Sequence, residues 1–253
     1  MNWVTIGLQV IWGLFAWLSF VVAVICALLI AILVPGKERR QRLAALACKL
    51  VFVLPRIEVS AVGLDRLPAE SCVVVANHAS YIDGVLLKGY LPARFNFVIK
   101  GEMRNIPIAH FLLRRAGARF VERNQHAASA RDARQIVKAA QEGESLALFP
   151  EGTFRAEPGV GRFRPGAFVA AVRGKMPVVP VAISGTRYML PAGRLLPRRI
   201  ALRFEVLPAI RPDDPHYGDS RALAETARRR ILEVLDEPAL SDEPEDSAAA
   251  ASN

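Results

Sequence analysis

Hydrophobic and polar positions divide the chain into an apolar start, a patterned body and a polar end. An uncharged, mostly apolar run covers residues 3–34. From residue 57 onward, short apolar runs of strand length alternate with segments in which apolar residues recur every three or four positions. This alternation predicts an α/β domain with a mostly parallel sheet flanked by helices, preceded by an N-terminal hydrophobic membrane helix or hairpin.

The individual elements follow from the length of each apolar run and from the turn residues around it. The predicted strands are 57–62, 72–76, 96–99, 118–121, 145–149, 178–183 and 200–206. The predicted helices are 80–90, 106–116, 128–141, 165–173 and 220–235. For the helix 128–141, Ser129 and Asp132 have the spacing of a capping box at the start, and Gly143 follows the end.

The apolar start has the properties of a retained membrane anchor. Its 32 uncharged residues exceed the roughly 20 that a helix needs to cross the hydrocarbon core. A cleaved signal peptide is disfavoured because no positively charged side chain precedes the run. Basic residues follow the run at once, and the positive-inside rule then places the rest of the chain on the cytoplasmic side of the inner (cytoplasmic) membrane. A hydrophobic hairpin lying in one leaflet is the second interpretation.

The segment 38–54 predicts an amphipathic helix. Its apolar positions are Leu43, Leu46, Ala47, Leu50 and Leu54. This stripe fits a helix lying in the membrane interface, and it equally fits a helix packed on the following domain. The predicted organisation is a membrane anchor with interfacial helix over 1–56, an α/β domain over 57–235, and a disordered acidic tail over 236–253, which lacks apolar content.

Charge and cysteine usage narrow the class of partner. Six acids and no Lys or Arg stand in residues 236–253, so the formal net charge of +9 becomes +15 for residues 1–235. A basic body suits an anionic partner, and the apolar start favours membrane lipid over nucleic acid, for which no binding motif is present. The three cysteines have no C-x-x-C spacing and the four histidines are scattered, so neither a disulfide framework nor a metal site is expected.

Polar residues stand where predicted strands end, which is where α/β folds collect reactive groups. His78 leaves the buried strand 72–76, and Asp83 follows five residues later. This spacing suits a general base and the carboxylate that orients it. The alternative is purely structural, because Ser80 and Asp83 also have the spacing of a helix capping pair.

Two cations follow the next two strands. Lys100 and Arg123 are suitable donors for a phosphate group, although a single cation after a strand is usually solvated surface.

A sharp break follows the strand 145–149. Gly152 permits unusual backbone angles, and Glu151 and Thr153 can hydrogen-bond a polyol or the loop itself. Arg155 and the Gly- and Arg-rich residues after it are typical of an anion-binding loop or, alternatively, of a plain exposed loop.

Four segments together resemble the glycerophospholipid acyltransferase family, which includes the 1-acyl-sn-glycerol-3-phosphate (lysophosphatidic acid) acyltransferases. An N-H-x-x-x-x-D block stands at 77–83, a K-x-E block begins at Lys100, F-P-E-G-T stands at 149–153, and an apolar, proline-containing block stands at 178–183. They occur in family order within about half of the chain. Met103 replaces the usual Leu, and Phe154-Arg155 replaces the usual Arg-Ser, which leaves the acceptor headgroup open.

The resemblance implies a role for each motif residue. His78 is the general base and Asp83 orients it. Substrate binding falls to Lys100, Arg123, Glu151, Gly152, Thr153 and Arg155, with the cations on the acceptor phosphate. No cofactor and no metal are implied, and the acyl donor is acyl-CoA or acyl carrier protein.

The implied activity is transfer of a fatty acyl group to the free hydroxyl of a lysophospholipid in phospholipid biosynthesis. Lysophosphatidic acid, giving phosphatidic acid, is the expected acceptor. The alternatives are another lysolipid (lysophosphatidylethanolamine or a lyso-aminolipid) and a non-catalytic lipid-binding protein on the same fold. A membrane-tethered hydrolase is disfavoured because the chain has no G-x-S-x-G nucleophile turn.

Overall fold

One sheet of seven strands organises the part of the chain that the computed structural model describes, residues 3–121, 126–154, 157–191 and 193–240. The strands are β1 Val59–Val62, β2 Val73–Ala76, β3 Asn96–Lys100, β4 Arg119–Val121, β5 Leu146–Leu148, β6 Val178–Ser184 and β7 Leu202–Val206. Their order is β1-β7-β6-β2-β5-β3-β4. Five neighbouring strands, β6 to β4, are parallel, whereas β7 runs antiparallel to β6 and β1 runs with β7. The predicted mostly parallel sheet is confirmed.

Helices cover both faces of the sheet. They are α1 Trp3–Leu33, α2 Lys37–Val53, α3 Asp83–Tyr90, α4 Pro107–Arg115, α5 His126–Gln141, α6 Gly166–Gly174, α7 Thr186–Met189 and α8 Ser220–Leu232. Successive side chains of β2 belong to two hydrophobic cores, one on each face of the sheet, because successive residues of a strand point to opposite faces. Val73 and Val75 pack with α5, α6 and α8, whereas Val74 and Ala76 pack with α2 and α3.

Helix α1 is a single uninterrupted helix, long and apolar enough to cross a membrane. The bend that a hairpin within residues 3–34 would need is therefore absent. The chain reverses instead at residues 34–36, and α2 returns antiparallel along α1, so that Trp12 Nε1 donates to Pro55 O at 3.2 Å. Small α1 residues, among them Ala16 and Ala23, are buried against the domain, while Leu14 and Leu18 on the outer surface are 58% exposed.

One face of α2 packs on the domain, as the second interpretation of this segment predicts. Phe52 is fully buried, and its ring lies edge-on to Tyr90 of α3 at 6.1 Å. Leu46 and Leu54 of the predicted stripe point away from the domain and are 57% and 40% exposed, so this part of the stripe fits the membrane-interface interpretation instead. The buried face is centred on Val51 and Phe52 because α3 approaches α2 on that side.

The boundary of the acidic tail needs correction. Residues 236–240 pack against the domain: Val160 N donates to Pro238 O, and Leu240 N donates to Val160 O, both at 3.0 Å. Glu237 forms an ion pair with Arg187, so a buried cation orders the first residues that composition assigned to a disordered tail. Residues 241–253 lie outside the described part of the chain.

Two predicted helix starts differ from the structure by two residues or more. Helix α3 begins at Asp83 rather than at Ser80, and α5 begins at His126, which places Ser129 inside the helix and not at its cap. Gly143 does follow the end of α5, with a φ of +78°. The four-residue helix α7 and two short 3-10 helices, Leu64–Arg66 and Gly101–Asn105, were not predicted because they are too short to show periodicity.

Truncating the buried face of α2 tests how it docks. We expect Phe52→Ala to destabilise the protein by about 3–5 kcal/mol, because it leaves a cavity between α2 and α3. Leu46→Ala on the exposed face of the same helix should change stability by about 0.5 kcal/mol or less. Unfolding in neutral detergent measures both, and equal effects of the two substitutions would contradict the docking face.

Candidate active site

The predicted site residues gather at one edge of the sheet. Since β2, β5, β3 and β4 are parallel neighbours, their carboxyl ends lie together. His78 follows β2, Glu151 follows β5, and Lys100 ends β3. Adjacent strands lie about 4.8 Å apart, so the backbones of β2 and β3, separated by β5, are about 10 Å apart. Arg123 and Arg155 lie outside the described residues.

His78 and Asp83 form a hydrogen-bonded pair. His78 Nδ1 lies 2.8 Å from Asp83 Oδ2, and the same oxygen accepts the backbone N–H groups of Ala79 and Ser80 at 2.7 Å each. The Asp83 side chain is fully buried, whereas that of His78 is 18% exposed. Asp83 is also the first residue of α3, where the helix dipole favours a negative charge. The pair thus holds the imidazole in one orientation and leaves Nε2 for chemistry.

The capping interpretation of Ser80 is half right. Its backbone N–H donates to Asp83, as in a capping box, but its hydroxyl donates to Leu190 O at 2.7 Å. The same hydroxyl accepts from the backbone N–H of Ile82 at 3.4 Å rather than from that of Asp83, so the reciprocal bond of a capping box is not formed, and Ser80 ties the loop to the segment after α7.

Asn77 fixes the loop from its other end, a role that the sequence did not reveal. Its Nδ2 donates to Ile183 O at 2.9 Å, and Ile183 N donates to Asn77 Oδ1 at 2.7 Å. This two-point bond to β6 joins the first and fourth motif blocks across 106 residues. Only the position of a polar residue at the end of an apolar strand could have indicated such a role.

Aromatic rings surround the imidazole. Phe149 stacks on His78 with ring centroids 4.2 Å apart, and Phe154 meets it edge-on at 4.9 Å. Tyr81 in turn lies edge-on to Phe154 at 4.5 Å. These contacts restrict the ring to one orientation and shield one of its faces from water.

Glu151 binds the protein backbone at both carboxylate oxygens. His78 N donates to Oε1 and Gly161 N donates to Oε2, each at 2.7 Å. Burial raises the pKa of Glu151 to about 7, and the two N–H donors oppose this shift. Of the two roles that the sequence leaves open, bonding the loop itself is the one the structure shows.

The rest of the F-P-E-G-T block forms a tight turn. Gly152 has a φ of +87°, and its N–H donates to Phe149 O at 3.2 Å. Thr153 is exposed at the surface of this turn.

Arg187 stabilises the loop that carries Gly161. Its guanidinium is 6% exposed, pairs with Glu237 at 3.1 Å, and donates to the carbonyl oxygens of Glu157 and Gly159. Arg228 donates to Gly161 O at 2.8 Å from the other side. Neither cation was predicted, since each partner is distant in sequence.

Lys100 lies at the same edge in an ion pair, with Nζ 2.8 Å from Glu102 Oε1. The lysine side chain is 37% exposed, so it remains accessible to a ligand at the surface.

With this geometry in view, comparison with known proteins identifies the family. The family model described as acyltransferase matches residues 58–184, half of the chain. The chain belongs to the acyltransferase family. The resemblance inferred from the four motif blocks is thereby confirmed. In this acyltransferase domain the match runs from the residue before β1 to the end of β6, and so includes both halves of the Asn77–Ile183 contact.

Two curated relatives and one solved structure show the extent of the similarity. A chloroplastic 1-acyl-sn-glycerol-3-phosphate acyltransferase of Brassica napus is 28% identical over 56% of this chain and 42% of its own length. Lysophosphatidylcholine acyltransferase 1 of Mus musculus is 30% identical over 67% of this chain and 33% of its own length. The alignments thus span less than half the length of these two relatives.

The crystal structure of the 1-acyl-sn-glycerophosphate acyltransferase PlsC from Thermotoga maritima shares the acyltransferase fold. It superposes with a TM-score of 0.71 and covers 89% of this chain and 95% of that chain, at 23% identity. The agreement extends beyond the segment matched by the family model, so the α1–α2 hairpin and the C-terminal elements belong largely to the shared fold.

The raised pKa of Glu151 predicts a specific pH dependence. Between its ordinary value of 4.5 and about 7, the folded state binds more protons than the unfolded state. The stability from this group is therefore complete below pH 4.5 and is lost as pH rises to 7, by at most about 3 kcal/mol. Gln cannot ionise, so thermal midpoints of Glu151→Gln should fall less steeply between pH 5 and pH 8.

The exposed Glu58→Gln variant is the control and should keep the native pH dependence. Parallel curves for the native protein and Glu151→Gln would show that Glu151 ionises normally.

Proposed function

We propose that this protein transfers a fatty acyl group from a thioester donor, acyl-CoA or acyl carrier protein, to the free hydroxyl of a lysophospholipid. The single observation that carries the proposal is the 2.8 Å contact between His78 Nδ1 and the buried Asp83 carboxylate, within a domain of the acyltransferase family. Lysophosphatidic acid, giving phosphatidic acid, is the proposed acceptor. The names of the plant and Thermotoga proteins support this choice.

The proposed reaction is direct transfer. His78 Nε2 takes the proton of the acceptor hydroxyl while the oxygen attacks the thioester carbonyl. The new C–O bond forms as the C–S bond breaks, and the imidazolium returns its proton to the leaving thiolate. Asp83 holds Nδ1–H and balances the transient positive charge on the ring. A positioned base of this kind contributes about 10²–10⁴-fold in rate.

The state of the cysteine in the core supports transfer without an acyl-enzyme. Cys72 is fully buried, and burial raises the pKa of its thiol to about 11. A thiolate is the nucleophilic form of cysteine, so this thiol is unreactive at neutral pH. The chemistry of the proposed reaction needs no metal and no cofactor.

An apolar cavity beside the site suits an acyl chain. It has a volume of about 130 Å³ and is lined by Trp17 and Phe20 of α1 together with Tyr81, Ile82 and Leu190. Tyr81 contacts Phe154, which contacts His78, so two ring contacts link the lining of the cavity to the imidazole. We propose that it receives an acyl chain that enters along α1.

The α1–α2 hairpin is the proposed membrane attachment. Helix α1 lies lengthwise on the domain and exposes large apolar side chains on its outer face, and Leu46 and Val53 of α2 are exposed as well. A helix flanked by a polar domain along its length is better suited to one leaflet than to crossing the bilayer. We propose attachment to the cytoplasmic face of the inner membrane.

Replacing either member of the pair should abolish most activity without loss of fold. We expect His78→Ala and Asp83→Asn to lower kcat/KM by about 10²–10⁴-fold, because the first removes the base and the second its orienting charge. A radiolabelled acyl donor with lysophosphatidic acid measures the rate.

His216→Ala, at an exposed histidine elsewhere, is the matched control and should retain full activity. Near-native turnover in His78→Ala would exclude the base. Release of free fatty acid without acceptor would indicate a hydrolase instead.

If Lys100 and Arg123 bind the acceptor phosphate, replacing them should change KM only for acceptors that carry a phosphate. We expect Lys100→Ala and Arg123→Ala each to raise KM for lysophosphatidic acid by about tenfold, with a smaller change in kcat, because each removes one charge-assisted bond. Uncharged monoacylglycerol lacks the phosphate, so its KM should not change.

Arg173→Ala, at an exposed arginine of α6, is the control and should leave both constants unchanged. Equal effects on both acceptors would place the two cations outside the phosphate site. Lysophosphatidylcholine and lysophosphatidylethanolamine complete the acceptor panel, the former because it appears in the name of the mouse relative.

A further inference from the structure

A basic cavity lies at the opposite edge of the sheet from the proposed active site. Its volume is about 290 Å³, and its charged lining residues are Lys37, Arg40, Arg114, Arg115, Arg119 and Glu144. Arg119 begins β4 and Glu144 precedes β5, so the cavity stands at the amino ends of the parallel strands. A strand of five residues is about 16 Å long, which separates the cavity from the carboxyl edge that carries His78.

The charges of the cavity are unbalanced. Five cations surround one carboxylate, and that carboxylate is already paired, with Arg119 Nη2 2.8 Å from Glu144 Oε1. Lys37 and Arg114 are exposed at the rim, and neither has an ion-pair partner within the described residues. A concave site with such an excess of positive charge attracts an anion, and Arg and Lys are the side chains that bind phosphate.

The cavity is built onto the end of the apolar helix. Arg115 Nε donates to Ala31 O at 2.8 Å, and Arg40 Nη1 donates to Val34 O at 3.3 Å. These guanidinium groups satisfy carbonyls that the end of α1 leaves without helical partners. The chain changes here from uncharged to basic, and this change marks the headgroup layer of a membrane. With the membrane attachment proposed above, the cavity opens where lipid phosphates are concentrated.

We propose that this cavity binds the phosphate of an anionic phospholipid headgroup, at a site separate from acyl transfer. Arg40, Arg115 and Arg119 are half-buried and held by the contacts above, so they form a preorganised floor. Lys37 and Arg114 close the rim on the phosphate. The bound lipid fixes the junction between α1 and α2 against the domain, and its acyl chains lie beside the exposed leucines of α2.

Native mass spectrometry of the full-length chain in neutral detergent tests the site. Dioctanoyl phosphatidylglycerol is the anionic probe, and dioctanoyl phosphatidylcholine is the zwitterionic control. We expect one tightly bound phosphatidylglycerol per chain and about tenfold or greater loss of affinity in the double variant Lys37→Gln/Arg114→Gln. Acyl transfer in neutral micelles should be unchanged in that variant, because neither residue belongs to the proposed active site.

Two matched variants separate the cavity from general charge. Arg173→Gln/Arg221→Gln removes two exposed cations from α6 and α8 on the other face of the sheet and should bind lipid normally. Lys37→Arg/Arg114→Lys keeps the charge and should also bind. Equal loss in both Gln double variants, or equal binding of the two lipids, would overturn the proposal.

A soluble phosphate compound is the competing source of the same chemistry. Inorganic phosphate and adenosine 3′,5′-bisphosphate are therefore titrated in parallel with the lipid. If either occupies the cavity at a lower concentration than phosphatidylglycerol, the lipid assignment is wrong. Weak or absent binding of both compounds supports it.

Discussion

The buried carboxylate of Asp83 organises the proposed active site. One of its oxygens accepts three N–H groups, two from the backbone of the turn that precedes α3 and one from the imidazole of His78. Burial of a carboxylate without partners costs several kcal/mol, so the turn must close around it in order to be stable. The same closed turn orients the imidazole of His78. Folding of the turn and the catalytic geometry therefore depend on the same contacts, and a change that makes the turn more mobile also makes the position of the base less precise.

The backbone of His78 is fixed by neighbouring residues, in addition to the contacts that its ring makes. Asn77 binds the backbone of β6 at two points, and the N–H of His78 itself donates to Glu151. Glu151 then connects to Gly161, whose loop is fixed by the buried pair of Arg187 and Glu237. Arg187 also donates to the carbonyl oxygens of Glu157 and Gly159, so the pair holds this loop in one arrangement. The end of the described chain thus helps to position a histidine located 159 residues earlier in the sequence.

The elements of the fold could be predicted because each has a local cause. Apolar runs such as Val73–Ala76 define strands, and parallel connections bring the carboxyl ends of those strands to one edge, which placed His78, Lys100 and Glu151 together. Contacts that depend on a distant partner could not be predicted. The sequence does not show that Asn77 binds Ile183, or that Glu237 is the counter-ion of Arg187.

The same limit applies to α2. Its leucine stripe has the correct period, but periodicity alone does not say which side of a helix meets the domain. The buried side was determined by the approach of α3, where Gly89 lets the two helices come close: a Cβ on this glycine would lie 3.3 Å from the backbone N of Lys49. The roles of Arg123 and Arg155 remain predictions from the motif resemblance.

Helix α1 connects the two edges of the sheet physically. Trp17 and Phe20 line the apolar cavity that Tyr81 shares, whereas the carbonyls of Ala31 and Val34 accept hydrogen bonds from arginines of the basic cavity at the other edge. At 1.5 Å per residue, Trp17 and Val34 are about 25 Å apart along the helix. If the end of α1 lies among lipid headgroups, a perpendicular helix would carry the polar domain into the hydrocarbon core, which is unfavourable. A helix lying along the surface avoids this cost, and it lets acyl chains approach His78 from the same leaflet that supplies the phosphate to the basic cavity.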